Sequence, residues 1–282
     1  MNDDGTGTGP SRVLGVHGIG NLQPGLDGPA AAARLAGWWS GALAARLPGA
    51  PPAVEMAYYA HHLRSVEEMP QGADGLDALP GHGRRDALRW GELLGAGDYI
   101  AQGRLTAPLR ALVSWVAGAY GLDHRLAGLF VAAFFTEVGT YFTQPERRTA
   151  AVGEVARALR RTRPRVVIAH SLGSVVTYDA LWTHAHPDVE LLLTVGSPLA
   201  MPDIVYDRLL PHPGPRRLPP GVRRWVNVSD PGDIVAVPPR GVSARFEQVT
   251  ADLSDSIGVF DFHRATKYLG CAAVAGVLAA YL

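Results

Sequence analysis

The chain has 282 residues, enough for one large α/β domain or two small ones, and its 47% hydrophobic content excludes a globally disordered protein. Basic and acidic residues balance at 26 each, so no net charge attracts the protein to nucleic acid or to anionic lipid, and we expect neither as a partner. Cys271 is the single cysteine, which excludes an intrachain disulfide and a metal site built from cysteines.

The first predicted elements follow a short polar segment. Residues 1–11, "MNDDGTGTGPS", are acidic and glycine-rich and predict a disordered tail. They lack the positive and apolar regions of a signal peptide, so we expect a cytoplasmic protein. The run "RVLGVHG" (12–18) predicts a strand, and "AVEMAYYA" (53–60) predicts a second one. Between them, apolar residues four positions apart predict a helix over about 28–47.

Residues 62–140 hold too much chain for a single crossover between strands, so they predict a helical cap inserted into the domain. After a polar, glycine-rich start, the segment becomes helical and strongly apolar over residues 126–135. A helix that is apolar nearly all round is either buried or faces a hydrophobic partner. The run is much shorter than the ~20 residues that span a bilayer, so we expect no integral membrane segment.

Helices and strands alternate in the second half of the chain. "TQPE" has the form of a capping box, so we expect a helix to begin near Thr143. The remaining strands and the last helix are predicted at 165–169, 190–195, 224–228 and about 263–282. Such alternation predicts an α/β domain over 12–282, with a mostly parallel sheet and helices on both faces.

A hydroxyl interrupts the apolar stretch "VVIAHSLGSVV" (166–176). A strand enters Ser171 and a helix leaves it, so the hydroxyl would lie on the tight turn that presents a serine nucleophile in some hydrolases. Small residues two positions to either side, Ala169 and Gly173, let the chain pass itself. His170 is expected to point away from the serine side chain. The alternative is that Ser171 only caps the following helix.

A serine nucleophile on such a turn needs an acid and then a histidine in chain order. "WVNVSDPGDIVAVPP" places Asp230 and Asp233 in a turn-rich loop, and His263 is the only histidine after that loop. Asp230 follows the strand directly, whereas Asp233 has the additional loop residues needed to reach His263. We therefore predict that Asp233 is the acid, with Asp230 as the alternative.

The loop "VHGIGN" (16–21) follows the first strand, where this architecture places a donor to the oxyanion of a reacting carbonyl. The backbone N–H groups of Ile19 and Leu172 are the predicted donors. A glycine-rich turn after a strand could instead cradle phosphate, but the G-x-G-x-x-G spacing and a "GKS" sequence are absent. We predict neither a metal nor a cofactor.

"VHGIG" together with "AHSLG" resembles the oxyanion loop and the Ala-x-Ser-x-Gly turn of small bacterial lipases in the α/β-hydrolase superfamily. "DIVAVPP" is similar to the acid segment of the fungal and plant class 3 lipases. "TVGSPL" (194–199) resembles a strand segment of lipases and of GPI inositol-deacylase-like proteins. The resemblance covers about 12–60 and 140–282, and it implies an α/β-hydrolase fold with Ser171, Asp233 and His263 as the catalytic triad. Ala169 stands two positions before the serine, where most members of the superfamily have glycine. This difference restricts the resemblance to those subfamilies that have alanine there.

These features predict a serine hydrolase that cleaves a carboxylic ester or thioester of a hydrophobic acyl group through an acyl-serine intermediate. The cap residues Phe130 and Phe134 are predicted to line the acyl pocket. One alternative is an acyltransferase, thioesterase or cyclase of a biosynthetic pathway, to which an acyl carrier protein would dock at an arginine-lined entrance such as "RRLPPGVRR" (216–224). A second alternative is a non-catalytic interaction protein with a vestigial triad.

Overall fold

Short hydrophobic strands separated by helices form an α/β fold, which confirms the predicted fold class. The computed structural model describes residues 13–47, 49, 52–65, 75–103, 107–210, 214–258 and 263–282, and the predicted tail at 1–11 lies outside them. The strands are β1 (Val13–Val16), β2 (Val54–Ala57), β3 (Val166–His170), β4 (Val189–Val195), β5 (Val222–Ser229) and β6 (Ala251–Ser254). All are parallel, in the order β2-β1-β3-β4-β5-β6.

Eleven helices accompany this sheet in the described part of the chain. They are α1 (Gly28–Ala44), α2 (Ala60–Leu63), α3 (Gly81–Leu93), α4 (Gly97–Gly103), α5 (Pro108–Tyr120), α6 (His124–Thr143), α7 (Pro145–Thr162), α8 (Leu172–Thr183), α9 (Gly241–Arg245), α10 (Ala265–Leu269) and α11 (Ala272–Leu278).

Strand residues alternate between two hydrophobic cores, one on each face of the sheet, because successive side chains of a strand point to opposite faces. In β3, Val167 and Ala169 belong to the core that contains α7 and α8. Val166 and Ile168 belong to the core formed with α1, α10 and α11. Both faces of the parallel sheet are therefore covered by helices, as such sheets require.

The strand order changes direction at β1, which has β2 on one side and β3 on the other. At such a switch point the loops that follow the two strands diverge and leave a crevice in which α/β proteins bind ligands. Here one loop is the "VHGIGN" segment after β1, and the other is the turn at Ser171 after β3. The pairing of Val16 with Ala169 brings the ends of the two strands together. The topology thus places two predicted parts of the site side by side.

The segment between β2 and α7, which the sequence predicts as a cap at about 62–140, contains α2 to α6. Its helices begin at Ala60 and end at Thr143, slightly outside the predicted bounds. Val113 of α5 and Phe135 of α6 are buried in the same hydrophobic cluster as Val167 of the sheet. The insert therefore packs on the central sheet and shares its core.

Helix α6 is the longest in the insert, with 20 residues and a mean hydropathy of 1.4. By length and composition alone it could cross a membrane, although 56% of its apolar stretch is buried inside the protein. It packs against α3, α5 and α7. A core helix of a folded domain has these same properties.

Three local features differ from the predictions. Thr143 ends α6, where its Oγ1 donates to the carbonyl oxygen of Gly139, so "TQPE" forms no capping box and α7 begins at Pro145. The predicted last helix is two helices, because the backbone turns extended at Cys271 (φ −84°, ψ 160°). Strand β6 was not predicted, since its four residues Ala251–Ser254 include no β-branched or aromatic residue.

Candidate active site

Ser171 lies on a sharp turn between β3 and α8. Its backbone has φ 55° and ψ −132°, a region that residues other than glycine rarely adopt. Gly173 permits this turn, because a Cβ at that position would lie 2.3 Å from the backbone carbonyl oxygen of His17. The Ser171 side chain makes no capping hydrogen bond to α8, which argues against the alternative that the serine only caps the helix.

The Ser171 hydroxyl is hydrogen-bonded to His263 instead. Its Oγ lies 2.7 Å from His263 Nε2, and His263 Nδ1 lies 2.8 Å from Asp233 Oδ2 and 3.0 Å from Asp233 Oδ1. A carboxylate can only accept, so Nδ1 carries the proton and Nε2 is free to accept the serine proton. All three side chains are buried. The structure therefore brings together the three residues that the sequence predicted, in one chain of hydrogen bonds from Ser171 through His263 to Asp233.

Asp230, the alternative acid, has a different set of partners. Its Oδ1 accepts from the N–H of Gly232 and its Oδ2 from the N–H of Ile257, each at 2.5 Å. These bonds fix the loop after β5 and hold the chain that follows β6. The geometry places Asp233, not Asp230, against His263.

Tyr268 of α10 holds the acid, and sequence reasoning missed it. Its hydroxyl donates to Asp233 Oδ2 at 2.6 Å and accepts from the N–H of Asp230 at 2.9 Å. Burial, and next the charge of Asp233, raise the pKa of Tyr268 far above its usual value, so the hydroxyl stays a donor. The position of Tyr268, five residues after His263, is the only signal in the sequence, and it does not specify which carboxylate the hydroxyl meets.

Gly196, at the end of β4, gives the acid and the histidine their space. Its φ is +54°, and a Cβ there would lie 2.9 Å from Asp233 Oδ2 and 3.2 Å from His263 Cε1. The same Cβ would lie 2.8 Å from Tyr268 Cε2. A side chain at this position would displace the members of the site.

His17 braces the loop after β1. Its ring stacks on Tyr59 with centroids 4.3 Å apart, Nδ1–H donates to the carbonyl oxygen of Gly18, and Nε2 accepts from the N–H of Tyr59. Burial lowers the pKa of His17 to about 4, which keeps the ring neutral and in this tautomer. The loop lies directly in front of Ser171, since a Cβ on Gly18 would lie 2.6 Å from Ser171 Cβ.

The two predicted oxyanion donors flank this contact. Leu172 is the first residue of α8, so its N–H has no acceptor within the helix. Ile19 follows Gly18, and its N–H donates to no other residue in the described part of the chain. The positive end of the α8 dipole favours a negative charge at the same place.

His170 does not point away from the site, as the sequence suggested. Its ring centroid lies 4.7 Å from that of His263, and its Nε2 is 3.1 Å from the carbonyl oxygen of His263. Burial, followed by the neighbouring His263, lowers the pKa of His170 well below its usual value. A neutral His170 donates through Nε2–H and anchors the backbone of His263. The prediction was wrong because β3 extends one residue further than expected. His170 is therefore part of the strand, and its side chain follows the strand's alternation instead of the turn.

The two predicted pocket residues of α6 have different surroundings. Phe130 is half-buried, and its ring lies edge-on to His263 with centroids 5.8 Å apart. Phe134 is only 1% exposed and stacks behind Phe130 against Phe135. The insert therefore reaches the site through Phe130, while Phe134 supports that residue from the core.

Glu137 of α6 also contacts the site, and the sequence analysis overlooked it. Its Oε1 accepts from the N–H of Gly20 in the loop after β1. An acidic residue inside an otherwise apolar helix is a signal that could have identified it. Among the described residues, no group of three or more histidine, cysteine or acidic side chains could hold a metal ion.

Fold and site together define an α/β protein with a Ser-His-Asp arrangement at the carboxyl ends of its parallel strands. No protein-family model matches the chain, and neither the curated proteins nor the solved structures searched give a match. The resemblance to lipases thus rests on the motifs alone, and the geometry of the site is what bears on the function.

Proposed function

We propose that the protein is a serine hydrolase that cleaves a carboxylic ester or thioester of a hydrophobic acyl group. The observation that carries the proposal is the chain of hydrogen bonds from Ser171 Oγ through His263 to Asp233, built on a strained strand-to-helix turn. Strained backbone and a buried serine–histidine contact are costly to maintain, and both are typical of an activated nucleophile.

In the proposed reaction, Ser171 Oγ attacks the carbonyl carbon while His263 Nε2 accepts the hydroxyl proton. The carbonyl oxygen becomes an oxyanion, to which the N–H groups of Ile19 and Leu172 donate. When the tetrahedral intermediate collapses, the bond to the leaving alcohol or thiol breaks, and His263 gives that group its proton. A water molecule then attacks the acyl-serine by the same route and releases the acid.

Asp233 holds the Nδ1–H tautomer of His263 and stabilises the imidazolium that forms. Its own charge is supported by hydrogen bonds from the hydroxyl of Tyr268 and the N–H of Val235. These donors hold the carboxylate oxygens that also accept from His263 Nδ1. The acid is thus preorganised before the reaction begins.

A hydrophobic acyl group is favoured by the surroundings of His263. Phe130 lies against its ring, and the neighbouring face of α6 is apolar, with Leu129 and Ala133 half-buried beside it. Each methylene buried on such a surface contributes up to ~0.8 kcal/mol. Longer acyl chains are therefore the proposed substrates.

Acyl transfer to a nucleophile other than water would use the same triad. The segment "RRLPPGVRR" does not support a carrier-protein entrance for it, because Arg223 and Arg224 lie at the amino end of β5. Asp233 follows the carboxyl end of that strand, which lies about 17–20 Å from these arginines along the extended chain. Arg224 donates to the hydroxyl of Tyr281 on this far side. Hydrolysis is the simpler proposal.

The proposal is tested by turnover of p-nitrophenyl esters with two acidic variants. We expect Asp233→Asn to lower kcat by roughly 10²- to 10⁴-fold, because the amide cannot hold the reactive tautomer of His263. Asp230→Asn is the matched control and should lower kcat far less, since its partners are backbone groups of the loop. The opposite order would remove Asp233 from the mechanism, and an inactive wild type against the whole ester panel would favour the interaction protein.

A further inference from the structure

Glu137 is the only acidic residue of α6, and it is 3% exposed. Burial of a carboxylate costs several kcal/mol unless polar partners compensate for the lost water. Nothing in the packing of an apolar helix requires an acid at this position. The partners of Glu137 therefore indicate its role.

Two groups face the Glu137 carboxylate. The backbone N–H of Gly20 donates to Oε1 at 3.0 Å, and Arg64, which follows α2, approaches the same oxygen with Nη1 at 3.6 Å. Burial raises the pKa of Glu137 to about 7, while the Gly20 N–H and the charge of Arg64 oppose that rise. The bond to Gly20 joins the insert to the loop after β1.

Gly20 is adjacent to Ile19, whose N–H is a proposed oxyanion donor. The φ of Gly20 is +68°, a conformation that lets the chain reverse direction at this point. His17 braces the start of the loop from β2, and the Asn21 side chain donates to the carbonyl oxygens of Gly18 and Ile19. The Gly20 N–H is the group of this loop that donates to α6.

We propose that Glu137 is a positioning residue of the oxyanion site: by accepting from the Gly20 N–H, it fixes the Ile19–Gly20 peptide and, through it, the orientation of Ile19, whose own N–H is the proposed donor. The inference rests on the proposed hydrolase function. Glu137 and Phe130 are seven residues apart, so they lie on the same face of α6 about two turns from each other. One helix of the insert thus contacts the oxyanion loop at one point and the general base at the other.

This role predicts an effect on the transition state and little effect on substrate binding. A donor aimed at the oxyanion acts most strongly on the charge that develops during the reaction, and removal of one such donor lowers kcat by roughly 10²- to 10³-fold. Displacement of the donor should cost less than its removal.

The test replaces Glu137 with methionine, which fills a similar volume but accepts no hydrogen bond from Gly20. We expect Glu137→Met to lower kcat for a p-nitrophenyl ester by about 10- to 100-fold, with KM changed by less than about threefold. The affinity for an alkyl boronic acid, which forms a tetrahedral adduct with Ser171, should fall by a similar factor. Glu137→Gln keeps an acceptor and should restore most of the activity.

Thr136→Ala is the matched control, because the Thr136 hydroxyl donates to the carbonyl oxygen of Ala132 in its own helix and not to the loop after β1. If the loss of the Glu137 charge beside Arg64 prevents Glu137→Met from folding, the double variant with Arg64→Met removes that cation and carries the same expectation. A folded methionine variant with the kcat and boronic acid affinity of the wild type would overturn the inference. Failure of the hydrolase proposal is distinguishable, since the wild type would then neither turn over esters nor bind the boronic acid.

Discussion

At the scale of single residues, the site depends on positions that tolerate no additional atoms. Gly173, two residues after Ser171, packs against the backbone of β1 and of the loop that follows it. Backbone atoms cannot move aside as a flexible side chain can. The turn at Ser171 can therefore pack this closely against β1 only because Gly173 has no side chain.

We expect Gly173→Ala to lower the free energy of unfolding by about 3 kcal/mol or more, the upper end of what overpacking costs. The added Cβ would lie 2.3 Å from one carbonyl oxygen and 2.6 Å from another. Urea unfolding followed by circular dichroism measures the change. Gly118→Ala is the control, because its Cβ would meet no atom within 4 Å on α5, and helix propensity favours alanine there. Equal midpoints for the two variants would contradict the packing described here.

Ser171, Asp233 and His263 could be chosen from the sequence, because chain order and loop position restrict the candidates for a Ser-His-Asp arrangement strongly. Ser171 follows a buried strand, and His263 is the last histidine. Tyr268, Gly196 and Glu137 could not be chosen in the same way. Each acts on a group far away in the chain, and only the fold defines which group that is.

At the scale of elements, α6 connects the insert to the candidate active site. Phe130 projects toward His263, whereas Phe134, one turn later, is enclosed by Phe130 and Phe135. The two phenylalanines are equivalent in the sequence pattern and different in the structure. Their substitution should separate substrate recognition from stability.

We expect Phe134→Ala to cost about 3–5 kcal/mol of stability, the usual range for a phenylalanine deleted from a core. Phe130→Ala should cost less stability and should instead flatten the rise of kcat/KM with acyl chain length, with acetate-ester turnover nearly intact. The measurements are urea unfolding and a series of p-nitrophenyl esters from acetate to long-chain acyl groups. An unchanged chain-length profile in Phe130→Ala would show that α6 faces another ligand.

Element boundaries were predicted well where hydrophobic patterns are long, as in α1 and β4. The pattern failed where tertiary contacts decide the boundary. Cys271 begins a new helix although the apolar pattern continues, and Thr143 bonds back to α6 although its neighbours resemble a capping box. Strand β6 depends on pairing with β5, which its own four residues do not reveal.

At the scale of the whole molecule, three buried ionisable groups surround the site and make stability depend on pH. Burial lowers the pKa of His17 to about 4 and that of His170 well below its usual value, whereas it raises the pKa of Glu137 to about 7. As the pH falls below 6.5, the unfolded chain protonates both histidines while the folded chain does not, which destabilises the fold. Glu137 has the opposite effect between about pH 7 and 4.5, since the folded chain takes up its proton first.

With two histidines and one opposing glutamate, the unfolded chain binds about one proton more than the folded chain near pH 5. This difference corresponds to a loss of stability of roughly 1.4 kcal/mol per pH unit there. We therefore expect the free energy of unfolding to fall by roughly 1–2 kcal/mol between pH 6.5 and pH 5, as measured by urea unfolding at each pH. Glu137→Gln removes the opposing group and should make this decrease steeper. Stability that stays level or rises on acidification would contradict the assigned burial of the two histidines.

The central claim, that Ser171 is an activated nucleophile, is tested most directly by intact-mass analysis after exposure to a small fluorophosphonate. The wild type should gain the mass of one phosphonyl group, located on the peptide that contains Ser171. Ser171→Ala should gain none. Ser243 lies in α9, and its hydroxyl donates to the carbonyl oxygen of Arg240, so Ser243→Ala is the control and should label like the wild type. An unlabelled wild type, or equal labelling of the wild type and Ser171→Ala, would contradict the account.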